Sequence, residues 1–370
     1  MHEESLELTK QFMTLKLKNR KSTSSLWQLG QTQIGLDLGA CCAKMVVAER
    51  RWTKDAQLQC RVTAAGSLRL PAGAVTDAQQ LQQALRLWID DFDVQGSQSC
   101  IACLPSELYD YEAVELAAHT ATDETERLVY ESVQQILGES AQTASYDYWT
   151  SSGSTSDVDT LQIVWTAAQA AQQITGKLVQ LGLTCKSLDA PALALGRLVS
   201  GSDPQNVGLV MDIGNGQVTF VWSRGGVTQY LRNRIRFAET SAVQILADKL
   251  GITELSAETL LSQWGIDPSS ESPVSRTNHQ CLEDWSEKLL FEVQRTLRYL
   301  QNRYGQASCK QITLCGGGAC IRGLSQWLMQ HLDSQVQVAG IPSSCQWSAS
   351  ESYSPTYAQA LSLLLQGDDR

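Results

Sequence analysis

One pattern occurs twice in this sequence. Near the start, Gln33-Ile34-Gly35-Leu36-Asp37-Leu38-Gly39-Ala40 runs on to Cys41-Cys42-Ala43-Lys44-Met45-Val46-Val47. In mid-chain, Gly208-Leu209-Val210-Met211-Asp212-Ile213-Gly214-Asn215-Gly216 runs on to Gln217-Val218-Thr219-Phe220-Val221. Each is an apolar strand, an Asp-x-Gly turn and a second strand-forming run, which makes a hairpin with an acid at its tip. Late in the chain an apolar run ends in Leu314-Cys315-Gly316-Gly317-Gly318-Ala319, with a helical pattern after it. One Asp-x-Gly turn alone is ordinary hairpin chemistry. Two of them, followed in order by a glycine-rich strand-to-helix turn, predict a duplicated α/β architecture whose halves open alike.

These loops also suggest a chemistry. Backbone N–H groups converging in a tight turn hold a phosphate, and glycine lets the chain come close. Gly39 with Ala40, Cys41 and Cys42 would make one such turn, and Gly214, Asn215 and Gly216 the other. Gly316, Gly317 and Gly318 would bring a ligand to a helix N-terminus. Asp37 and Asp212, at the turn entrances, suit a Mg²⁺ held mainly through water, because Mg²⁺ dehydrates reluctantly. Lys44 either reaches a phosphate or stands as an exposed strand residue. No Gly-x-x-x-x-Gly-Lys-Ser/Thr occurs, which excludes a P-loop.

At 370 residues the chain has room for two lobes, each with its own core. A formal charge of −10 argues against a nucleic-acid backbone binder. No apolar stretch approaches the roughly 18 residues of a membrane span, and no secretory signal opens the sequence. A soluble, cytoplasmic protein is expected. The eleven cysteines sit mostly in apolar runs, where a free thiol acts as a small hydrophobe. Cys100-Ile-Ala-Cys103 is a lone CxxC in a strand-like run, which sends its thiols to opposite faces and favours a structural role.

Residues 1–30 differ from the rest. Their basic cluster, Lys16, Lys18, Arg20 and Lys21, fits either weak attachment to an anionic membrane or a solvated, mobile tail, and the scattered apolar residues favour the tail. Residues 31–105 form the first lobe. Residues 106–188 have their own pattern: strands over Glu107–Leu116, Ser145–Thr150 and Thr160–Trp165, and a helix bearing Val129, Val133, Ile136 and Leu137 on one face. They are expected to be a subdomain inserted into that lobe. Residues 189–370 form the second lobe, with Pro268–His279 expected as a loop, a long helix over Cys281–Tyr304 and a closing helix from Tyr357. A cleft for the nucleotide is expected between the lobes.

The ordered loops match the way an actin-like ATPase fold, with its ribonuclease H-like lobes, holds a nucleotide. The chain resembles the PilM family of type IV pilus assembly over about residues 33–366 and, more distantly, FtsA. Leu314-Cys-Gly-Gly-Gly-Ala-Cys-Ile-Arg-Gly-Leu324 is similar to that family's Leu-Ala-Gly-Gly-x-Ala-x-Ile-x-Gly-Leu, and the insertion falls where the family carries its 1C subdomain. The resemblance implies ATP and Mg²⁺ between the lobes. It also implies capture of the cytoplasmic N-terminal peptide of a PilN-like inner-membrane protein, with PilO- and PilP-like proteins as indirect partners. Recruitment to the inner face of the inner membrane follows. The peptide groove is expected along 1C near Tyr109–Leu116 and Tyr146–Trp149, unless those aromatics simply pack the subdomain. Two departures stand out: Pro191 where relatives have an acid, and Ala238-Glu239 where they have Gly-Gly. Proline neither orients nor deprotonates water, so weak or absent ATP hydrolysis is expected, in a retained or degenerate nucleotide cleft. Alternatives are an FtsA-like membrane-associated filament protein, with self-association, and a phosphotransferase of the same fold.

Overall fold

Strands β1 (Gln31–Leu38) and β2 (Cys42–Trp52) form the first hairpin, and the apolar alternation that predicted them is buried almost throughout. The computed structural model describes residues 31–39, 41–53, 57–71, 73–74, 77–90, 92, 98–117, 122–152, 158–199, 206–267, 270–305 and 310–366. The basic segment 1–30 lies outside them, as does Ala40. The chain divides into two compact units: residues 1–191 with 344–351 and 363–370, and residues 192–343 with 352–362.

In the first unit β3 (Leu58–Arg69) extends the hairpin into an antiparallel meander. Helix α1 (Ala78–Asp90) buries Leu81 and Leu85, as their spacing predicts, and leads to β4 (Gln98–Cys103), parallel to β1. The insertion follows: β5 (Asp110–Ala117), α2 (Thr122–Leu137), β6 (Ala144–Ser152) and β7 (Val158–Ala167), a three-stranded sheet in the order β5-β7-β6. Val129 and Val133 of α2 pack on Leu116, Leu161 and Ile163. Helix α3 (Ala168–Gln180) and strand β8 (Leu183–Asp189) then return the chain to the main sheet, where β8 is parallel to β4.

The second unit repeats the plan. After α4 (Pro191–Gly196), strands β9 (Val207–Ile213), β10 (Gln217–Arg224) and β11 (Val227–Arg236) form a meander. Strand β12 (Gln311–Cys315) joins β9 in parallel, as β4 joins β1. Between β11 and β12 lie α5 (Ala242–Leu250), α6 (Glu254–Gln263) and the 32-residue α7 (Pro273–Tyr304), whose Leu282, Leu289, Val293, Leu297 and Leu300 face the core.

Three local expectations need correction. The loop expected over Pro268–His279 is helical from Pro273. Ser272 caps that helix by accepting from Ser275 N, and Pro273 occupies its first turn, where a missing N–H costs nothing. The helical pattern expected after the glycine turn does not begin at once. A 3₁₀ turn over Gly317–Cys320 comes first, and α8 spans Leu324–His331. Finally, β13 (Gln335–Val338) pairs with β12 and β14 (Cys345–Trp347) pairs with β3, two short strands that periodicity did not announce. Helix α9 (Ala358–Leu363) closes the described chain, preceded by a 3₁₀ turn over Pro355–Tyr357.

Candidate functional site

In the first unit the hairpin tip is tight. Gly39 N donates to Cys42 O at 3.1 Å, and a Cβ on Gly39 would lie 3.1 Å from that oxygen and 3.2 Å from Lys44 Nζ. Asp37 is opposite Lys44 in the hairpin register and only 6 % exposed. Its Oδ2 accepts from Lys44 Nζ at 3.1 Å and its Oδ1 from the Cys103 thiol at 3.3 Å. Lys44 is therefore partly buried and ion-paired with Asp37 rather than a bare strand lysine. Cys103 Sγ also accepts from Leu38 N at 3.2 Å. Burial, reinforced by the Asp37 carboxylate, pushes the Cys103 thiol well above its ordinary pKa, so it stays protonated and donates.

Cys103 is a site residue that pattern reading missed. The CxxC does send its thiols apart: Cys100 sits opposite Cys185 on β8, whereas Cys103 reaches the Asp37 carboxylate. The structural reading holds for Cys100. No local signal marked Cys103, because its partner is 66 residues away.

The second hairpin has different surroundings. Gly214 N donates to Gln217 O at 2.9 Å. Gly216, at φ +66°, accepts from both Phe237 N and Ala238 N, and a Cβ there would come within 2.5 Å of Ala238 O. The segment after β11 thus lies on this turn, with Thr240 Oγ1 3.5 Å from Asn215 Oδ1. Glu239 is exposed, and its carbonyl accepts from Arg236 at 3.3 Å. Asp212 is paired in register with Cys315 at the end of β12. Gly316, at φ +78°, lies beneath the Asp212 carboxylate. A Cβ there would fall into Asp212 Oδ1 and 2.8 Å from Ile213 O, and Gly318 would meet Ile213 Cβ at 2.6 Å. Gly317 has nothing within 4 Å of its Cβ direction.

The predicted phosphate glycines of the second unit therefore sort into two groups. Gly216 and Gly316 are required by a backbone that passes close by, and Gly318 by the Ile213 side chain. Gly214 and Gly317 are not crowded in this way. The N–H groups of Gly39, Gly214 and Gly316 already donate within the protein, the last to Pro355 O at 3.2 Å. For a divalent cation the fit is poor in the first unit, since Lys44 and Cys103 take both Asp37 oxygens. No cluster of three ligand-type side chains occurs among the described residues. Pro191 begins α4, directly after the buried Asp189 and Ala190.

In the inserted sheet the aromatics divide. Tyr109 is 2 % exposed and belongs to the interior. Tyr146 and Tyr148 pack with α2, and burial raises the pKa of both phenols. Tyr111 and Trp149 occupy the opposite face, half-buried, with ring centroids 6.3 Å apart. Tyr111 OH donates to Gln162 Oε1, and Gln162 Nε2 to Ser151 Oγ at 2.9 Å.

A family model described as type IV pilus assembly protein PilM matches residues 35–366. The fold is similar to that of a PilM–PilN type IV pilus biogenesis complex, with a TM-score of 0.68 and 18% identity, covering 90% of this chain and 98% of the other. It is also similar to the ethanolamine utilization protein EutJ from Carboxydothermus hydrogenoformans, with a TM-score of 0.52, 16% identity and coverage of 98% and 97%. No curated protein matches the chain. The fold is actin-like, as the paired hairpins predicted. No described helix is long and apolar enough to cross a membrane.

Proposed function

The chain belongs to the type IV pilus assembly protein PilM family, and from that premise we propose that it is a scaffold that binds the cytoplasmic N-terminal peptide of a PilN-like inner-membrane protein. The observation that carries this reading is the family match across both units, from residue 35 to residue 366. The peptide would use the Tyr111–Trp149 face of the inserted sheet, because Tyr109, Tyr146 and Tyr148 are committed to packing. Across that face two aromatic rings can grip the side chains of an extended segment. Binding there would recruit the chain to the inner face of the membrane and link it indirectly to PilO- and PilP-like proteins. The test is calorimetry with a synthetic N-terminal peptide of a PilN-like protein from the same organism. Saturable binding that weakens about tenfold in Trp149→Ala, worth about 1.4 kcal/mol, is expected. No heat of binding to the unaltered chain overturns the reading.

The nucleotide apparatus serves, on this reading, as frame rather than catalyst. When bound, ATP with its metal would supply charge and bulk. This chain's own residues supply little toward hydrolysis. Pro191 has no side-chain group to hold a water, and the Lys44 ammonium is neutralised by Asp37. Steady-state phosphate release is expected to stay at background. Turnover that disappears in Asp212→Ala would show an active ATPase and sink this part of the proposal.

A further inference from the structure

The charge of this chain is concentrated in one place. Residues 106–167 contain twelve acidic residues and a single basic one, Arg127, so the rest of the chain is close to neutral although the total is −10. Part of that acid stands on an edge strand. Asp110, Glu112 and Glu115 are exposed on β5, which pairs with β7 and has no second neighbour among the described residues. Charged side chains on an edge repel a like edge and leave it open to an opposite one.

The second unit has the opposite kind of edge. Strand β11 ends its five-stranded sheet, with β10 as its one partner among the described residues. Helix α7 runs alongside it in the opposite direction. Phe237, just past β11, packs on Trp285 with ring centroids 5.3 Å apart, Arg232 bonds Glu292 at 2.5 Å, and Tyr230 stacks on Tyr299 at 4.8 Å. Strand and helix therefore present one continuous face. From Lys288 onward the helix exposes Lys288, Phe291, Arg295, Arg298, Tyr299 and Arg303, at the three- and four-residue steps that share one side. Strand β11 adds Arg234 and Arg236. The one acid in that stretch of helix, Glu292, is bonded to Arg232, and Glu283, Asp284 and Glu287 lie toward the N-terminal end.

We propose that the β11–α7 face receives the acidic β5 edge of a second copy of this chain. Edge pairing would provide backbone hydrogen bonds. The arginines facing Asp110, Glu112 and Glu115 would select the partner and set its register. The two surfaces differ, so the contact is heterologous and leaves a complementary surface free on each copy. Nucleic acid, the other polyanion a basic face attracts, has no strand edge to pair with β11, whereas the acidic β5 strand has one, which favours the protein occupant.

Light scattering on the full chain at about 100 μM in about 50 mM salt should give a mass above one chain, falling toward one chain as added salt shortens the screening length. Arg295→Glu with Arg298→Glu should weaken association at least tenfold, as should Glu112→Lys with Glu115→Lys, while circular dichroism shows each variant folded. Mixing the two variants should restore association, because reversed edge then meets reversed face. A chain that stays monomeric at low salt overturns the proposal. So does association indifferent to both reversals, or a mixture no better than either variant. Single-stranded DNA that binds the face and leaves the mass at one chain would also overturn it.

Discussion

The hairpins around Asp37 and Asp212 share a sequence pattern and a place in their sheets, yet their acids live in different surroundings. Asp37 is nearly sealed, held by a lysine from its own hairpin and a thiol from the next strand. Asp212 pairs in register with the end of β12 and rests on the bare backbone of Gly316. In the first hairpin the acid is an internal counter-ion. In the second it is a lid over a glycine turn. Duplication copied the strands and the turn, and the later elements of each unit decided what the acid does.

The largest effect that would test this contrast is Gly316→Ala. It forces a left-handed φ of +78° on alanine and drives Cβ into the Asp212 carboxylate, so a loss of about 3 kcal/mol or more is expected in denaturant unfolding. Gly39→Ala, in the first hairpin, should cost about 1 kcal/mol, since its neighbours at 3.1 and 3.2 Å include the flexible end of Lys44. Gly317→Ala should change stability by less than about 0.5 kcal/mol. Equal losses at Gly316 and Gly317 would remove the packing explanation for the glycine turn.

Second in size, after Gly316→Ala, is Lys44→Ala. It leaves the Asp37 carboxylate, 6 % exposed, with only a thiol as partner. The side chains in the ion pair are 19% and 9% exposed, so about 2 kcal/mol is expected, below the range for a fully buried pair. Asp212→Ala should cost less by itself and should recover about 1 kcal/mol of the Gly316→Ala penalty in a double-mutant cycle. Additive losses at 212 and 316 would mean that the carboxylate does not rest on the turn.

The smallest effect is a pH dependence confined to the second unit. Burial, with Tyr299 close by, raises the Tyr230 phenol to about 12. Its folded pKa lies above the unfolded value of about 10, so the stability it contributes is complete below about pH 10 and is lost as pH rises toward 12. The unfolding midpoint should fall over that window and fall less in Tyr230→Phe. An identical alkaline slope in the variant would exclude Tyr230 as the source.

Much of the fold was legible in advance because hairpins and amphipathic helices are short-range patterns. The start of α7 could have been read too, since Ser272-Pro273 is a helix-start signal; the polar composition of the segment obscured it. Strand β14 could not, because three residues carry no usable period and owe their strand geometry to β3. The glycines were read for close approach of a ligand, whereas Gly216 and Gly316 are there because another backbone passes close by, and Gly318 because the Ile213 side chain does. The aromatics of the inserted sheet were seen as one group, and burial split them into a packed set and the Tyr111–Trp149 pair.

The sequence by itself determined two acid-tipped hairpins, a glycine turn and an insertion. Side-chain alternation and turn chemistry act between near neighbours, and they need no tertiary partner to be read. Tertiary structure alone decided that Asp37 is locked while Asp212 lies over glycine, and that the acidic and basic edge strands fall in different units. Those outcomes depend on residues such as Cys103 and Gly316, brought to their partners across scores of residues, where burial and charge, rather than local propensity, set the energy.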